Sequence, residues 1–119
     1  MNNYDELQMR IEVMLQNINA SLSHCSRALA HLSHIFSQNQ GKVDASDQDA
    51  VERLQKVIVQ RQSTILITEK YFNQDNLLFA DLQRIDNYIT SAHDDNIPAV
   101  VDITQRVLSI YGLNYDDYA

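Results

Sequence analysis

Nine apolar residues in the first third of the chain set the fold class. Leu7, Ile11, Leu15, Ile18, Leu22, Cys25, Leu29, Leu32 and Phe36 follow one another at steps of 4, 4, 3, 4, 3, 4, 3 and 4. An α-helix repeats every 3.6 residues, so these steps keep all nine side chains on one face. From Leu15 onward the pattern is the 3-4 seam of a coiled coil, with one stutter at its start. It predicts a helix over residues 4 to about 37, roughly 50 Å long at 1.5 Å per residue. A hairpin or bundle uses a helix of that length, whereas a small globular core does not need one. Leu15, Ile18, Leu22, Leu29, Leu32 and Phe36 are the expected core or dimer seam.

The rest of the chain agrees with an all-α fold. Two Gly and one Pro in 119 residues are too few for the turns of a sandwich or barrel. The same scarcity excludes Gly-rich phosphate loops and a Gly-flanked nucleophile elbow. The length suits one domain, residues 1–119. Gly41 and the polar run around it mark a first break, with Ser46 and Asp49 resembling an N-capping pair. A second helix is expected over about 47–71, with Val51, Leu54, Ile58, Ile65 and Phe72 on one stripe interrupted by Arg61 and Thr68. The triplets Val57-Ile58-Val59 and Ile65-Leu66-Ile67 widen its apolar face beyond one seam. Asn73 to Asn76 reads as a turn, with one continuous helix from 47 to 93 as the alternative. A third helix is expected over about 76–93, and a turn at His93 to Asn96. A fourth helix opens with Asn96 as cap and Pro98 in its first turn, and Gly112 ends it. Residues 113–119, with Tyr115, Asp116, Asp117 and Tyr118, read as a flexible acidic-aromatic tail, with a flap that docks on the bundle or on a partner as the alternative. The expected architecture is an antiparallel helical bundle of about four helices built on a long N-terminal helical hairpin.

Charge narrows the partners. The net charge is -7, and residues 73–119 hold eight of the acidic side chains against two basic ones. No Lys/Arg cluster exists of the kind that displaces counterions from nucleic acid, so neither nucleic acid nor a membrane surface is an expected partner. Cys25 is the only cysteine, which precludes an intrachain disulfide. With neither a basic n-region nor an apolar h-region at the start, a cytoplasmic location is expected.

No residue pattern carries a catalytic or cofactor site. His24, His31 and His34 share a flank of the first helix, and His31 and His34 are close enough for one ion. A structural zinc site wants four ligands, and no second pair of Cys or His accompanies them. They read as solvent-flanking residues beside the seam, and no metal, cofactor or enzymatic activity is expected. Arg27 and His34 are similar to the Arg/His pair of HEPN-type helical RNases, but they lie early and on an almost uncharged helix. The carboxylates after residue 75 read as a solvated face with helix capping at Asp94, Asp95 and Asp102.

One stretch carries a family resemblance. Arg61-Gln62, Leu77-Leu78 and the run Leu82-Gln83-Arg84-Ile85-Asp86-Asn87-Tyr88-Ile89 resemble the middle of the flagellar type III export chaperones. Gln105 and Ile110-Tyr111-Gly112 are similar to the C-terminal part of that family. The resemblance covers residues 61–112. It implies a cytoplasmic chaperone or adaptor that holds an amphipathic helix of an export substrate. The groove for that helix is expected along Leu78, Leu82, Ile85, Ile89, Val107 and Tyr111. The alternative is an inhibitor, immunity or regulatory protein of phage or plasmid origin acting by protein–protein contact. A homodimer through the first helix is expected, because third and fourth helices of roughly 27 Å and 22 Å leave part of a 50 Å stripe uncovered.

Overall fold

The computed structural model describes residues 2–119, without the side chains of residues 93–96. Helix makes up 84% of the chain, and no strand occurs among the described residues. Three long helices, α1 (Asn3–Gln38), α2 (Ala45–Phe72) and α3 (Phe79–Ile110), run up, down and up, and a short 3-10 turn, Tyr115–Tyr118, follows. The bundle measures 58 × 21 × 20 Å.

Each helix begins and ends for a local reason. Asn2 caps α1 by accepting a hydrogen bond from the Asp5 amide at 2.9 Å, which satisfies one donor of the first turn. Asp44, not Ser46, caps α2. Its carboxylate accepts from the Ser46 amide at 2.8 Å and from the Ser46 hydroxyl at 2.7 Å. Those bonds hold the Asp44 carboxyl below its ordinary range. The carboxylate of Asp81 reaches back to the Leu78 amide at 2.9 Å and so closes the start of α3. The turn expected at Asn73 to Asn76 is present, with Asn76 in the left-handed region at φ 65°. Residues 47–93 are thus two helices and not one.

The end of α3 is a complete Schellman motif. Gly112 takes φ 72°. Its amide donates to the Ser109 carbonyl at 3.1 Å, and the Leu113 amide donates to the Leu108 carbonyl at 3.0 Å.

The largest difference from expectation is the number of helices. The expected third and fourth helices are one bent helix, α3, with Pro98 inside it. Proline removes one helical donor and crowds the carbonyl four residues earlier, which bends a helix where packing on both sides holds it together. Here that packing is supplied by Ile85, Ile89, Val100, Thr104, Val107 and Leu108, all buried. With α3 continuous through this stretch there is no helix start for Asp94, Asp95, Asn96 or Asp102 to cap. Asp102 instead pairs with Arg106 at 2.9 Å, and the side chains of residues 93–96 lie outside the described ones.

The continuity of α3 changes what covers α1. At 32 residues it spans about 48 Å, nearly the whole length of its partner. All six expected seam residues, Leu15, Ile18, Leu22, Leu29, Leu32 and Phe36, are buried within one chain, together with Ile11, Cys25 and Ala28. The stripe whose exposure motivated a second copy is therefore closed by α2 and α3. The ends are tied as well. The Tyr4 hydroxyl donates to the Leu77 carbonyl at 2.9 Å. At the other end the rings of Phe36 and Tyr111 meet edge to face with centroids 4.8 Å apart.

Candidate functional site

The α2 helix carries more apolar surface than its neighbours cover. Val51, Leu54, Ile58, Ile65 and Phe72 are buried as the stripe predicts. Arg61 and Thr68 are half-buried on its edge, and Thr68 returns its hydroxyl to the Thr64 carbonyl at 2.9 Å. The widened part of the face points outward: Val59, Leu66 and Ile67 are 59%, 53% and 69% exposed. Val59 and Leu66 are seven residues apart and so lie on one line along the helix. Ile67 and Tyr71 occupy the flank turned toward α3.

That flank forms one wall of a groove. Ile67, Thr68 and Tyr71 face Arg84, Ile85 and Tyr88 of α3 across a cavity of about 280 Å³. Of these, Ile85 is buried and forms the floor, while Ile67, Tyr71 and Tyr88 are exposed on its rims. Arg84 is held by Asp81 at 2.9 Å, and the Tyr71 hydroxyl donates to the same carboxylate at 3.3 Å. The groove is thus apolar within and charged at one end. Helix pairs present such grooves to amphipathic helices.

The residues expected to form the partner groove are placed differently. Leu82, Ile85, Ile89 and Val107 are buried in the chain's own core, because α3 turns this stripe toward α1 and α2 to close the bundle. Only Ile85 contributes to the groove. Leu78 is exposed next to Phe79 at the start of α3. Tyr111 is engaged within the chain, where its hydroxyl donates to Asp47 Oδ2 at 2.6 Å. That bond, followed by burial, pushes its phenol up to about 12. Ile67, Tyr71 and Tyr88 were missed as groove residues. Only Ile67 had a signal, as the last residue of the second widened apolar triplet of α2; Tyr71 and the α3 side of the groove have no counterpart in sequence.

The carboxylates of α3 also diverge from a purely solvated face. Asp86 is mostly buried, and its Oδ1 lies 3.1 Å from Arg10 Nε. The pair borders an open polar pocket of about 550 Å³ that includes Glu6, Asn3 and Gln83. Among the described residues no group of three or more His, Cys, Asp or Glu side chains is arranged to hold a metal ion.

The histidine flank of α1 is not simply solvated. Residues 113–119, expected as a flexible tail, fold back on it. His24 stacks on Tyr115 with ring centroids 3.7 Å apart, and its Nε2 donates to the Tyr115 carbonyl at 2.5 Å. A carbonyl only accepts, so Nε2 carries the proton. Arg27 Nε donates to the Tyr118 carbonyl at 2.9 Å. His31 Nδ1 and the Tyr118 hydroxyl are 2.6 Å apart. His34 stays exposed and takes no part. Burial, then a contact with the Cys25 thiol, holds the Tyr115 phenol above its ordinary range. No helix among the described residues is long and apolar enough to cross a membrane. Comparison of the chain with protein-family models, with curated proteins and with solved structures finds no match.

Proposed function

We propose that this chain is a non-enzymatic helical adaptor that holds an amphipathic helix of a protein partner along the edge between α2 and α3. The observation that supports it is the apolar groove walled by Ile67, Tyr71 and Tyr88, continued by the outward line of Val59 and Leu66. Isolated exposed apolar residues are ordinary. A groove flanked by an apolar line on the same helix is what contact surfaces present. In the export-chaperone version of this reading, the partner is an export substrate in the cytoplasm. Holding its helix on the groove prevents premature assembly, and the role requires neither a cofactor nor a catalytic residue.

A photo-crosslinking amino acid placed at position 67 in the native host tests this reading, with position 48 on the polar start of α2 as control. The expected outcome is one dominant crosslinked protein at position 67, carrying an amphipathic helix and lost when Tyr88→Asp is added. Equal labelling from both positions, or labelling indifferent to Tyr88→Asp, would rule the groove out. If the crosslinked partner is a toxin or a phage product and not a secreted protein, the export version fails while the groove stands.

A further inference from the structure

The last buried core residue is Leu108, and the Schellman motif closes α3 immediately after it. The fully buried core therefore ends before residues 113–119 begin. No residue of the Tyr115–Tyr118 turn is fully buried. Tyr115 and Tyr118, with Leu113 before them, pack half-buried against that core from outside, as the side chains of a bound peptide would, and a polar crease of about 400 Å³ separates part of the segment from Gln105 and Ser109 of α3.

The seat on α1 is specific in its chemistry. His24 offers a ring to stack on and a donor for a backbone carbonyl. One turn on, Arg27 offers a second donor to a backbone carbonyl, and His31 meets a tyrosine hydroxyl. The spacing 24, 27, 31 is the 3-4 step of one helical face. Arg27 adds positive charge where it meets the Tyr118 carbonyl, in a segment that carries Asp116 and Asp117. Arg27 and His31 are exposed, and contacts made by exposed polar groups are individually weak.

We propose that residues 113–119 are a displaceable latch and that the His24–Arg27–His31 face of α1 is a recognition site for an aromatic-acidic peptide. The site is filled in cis by Tyr115 and Tyr118 of the same chain. This surface lies apart from the α2–α3 groove and does not rest on the function proposed for it. A protein partner carrying tyrosines beside acidic residues would enter by displacing the latch.

Cys25 provides the readout, because it is fully buried and its Sγ sits 3.6 Å from the Tyr115 hydroxyl. The experiment measures how fast a thiol-specific aromatic disulfide labels Cys25 in the full chain. Tyr115→Ala combined with Tyr118→Ala should raise the rate on the order of tenfold, the change produced when local opening becomes about 1.4 kcal/mol easier. Arg27→Ala should act in the same direction while leaving both tyrosines in place. A synthetic peptide with the sequence of residues 113–119 should slow labelling of the double variant at about 1 mM, the effective concentration a short tether supplies. An unchanged rate in the double variant overturns the latch. Fast labelling that the peptide does not slow overturns the recognition site. Labelling whose urea dependence matches global unfolding would mean that the segment holds the bundle together, which also overturns the proposal.

Discussion

Along α1 the apolar pattern and the burial coincide. Every step of the seam from Ile11 to Phe36 ends on a buried side chain, and the exposed large apolar residues on that helix, Met9 and Val13, lie off the seam. Along α2 they part company. Five residues of its stripe are buried, but Val59, Leu66 and Ile67 stand in solvent. The difference lies in how many neighbours each helix has. α1 sits between α2 and α3 and packs along both, so a narrow 3-4 seam broadened only by Ala28 is covered from two sides. α2 packs chiefly on α1 and has a thinner contact with α3. Its wider apolar face therefore exceeds what the bundle can cover. An apolar surplus on an outer helix locates a candidate interface more sharply than the periodicity of the inner one does.

The strongest way to break this comparison is to hollow the inner helix. Leu29→Ala removes a fully buried side chain and should lower unfolding stability by about 2–5 kcal/mol. An unchanged urea midpoint would show that the seam is not the stabilising element.

A smaller loss is expected where α3 ends. A Cβ on Gly112 would meet nothing within 4 Å, yet the residue holds φ +72°. Gly112→Ala should therefore cost about 1–2 kcal/mol through the backbone alone. Thermal melts that show no loss would mean the helix end relaxes without its left-handed residue.

Next comes the bond that joins the end of α3 to α2. Tyr111→Phe removes the donor to Asp47 and should cost on the order of 1 kcal/mol at neutral pH. The phenol is raised from 10 to about 12 in the fold, so the folded state favours the protonated form. The advantage over the Phe variant should be full below pH 10 and should disappear as the pH rises through about 12. A stability gap that grows with pH over that window would contradict the bond.

The smallest effect sharpens the comparison from the other side. Val59→Ser and Leu66→Ser on the outer face of α2 should each change stability by within about 0.5 kcal/mol. If either costs as much as a core truncation, the outward face is part of the core and the surplus vanishes.

Helix existence was readable because it depends on local periodicity and local caps. The seam of α1, the stripe of α2, the turn at Asn73 to Asn76 and the termination at Gly112 all come from neighbours within a few residues. Pro98 misled for the same reason. Locally it marks a first turn, and only its packed surroundings allow a bent helix to pass through it. The groove was half legible. The triplets around Ile58 and Leu66 announced a wide face, but the sequence alone could not say which side of α3 would meet it.

By itself, then, the sequence determined that this is an all-α chain, which of its residues line the inner helix and where its first two helices end, since each follows from the 3.6-residue period and short-range hydrogen bonding. Tertiary structure alone decided that α3 is one helix long enough to cover α1, that Leu82, Ile89 and Val107 serve the core, and that Tyr115 and Tyr118 return to His24 and His31. These are contacts between residues separated by dozens of positions. They depend on how three helices share a limited apolar surface, and no local pattern encodes that division.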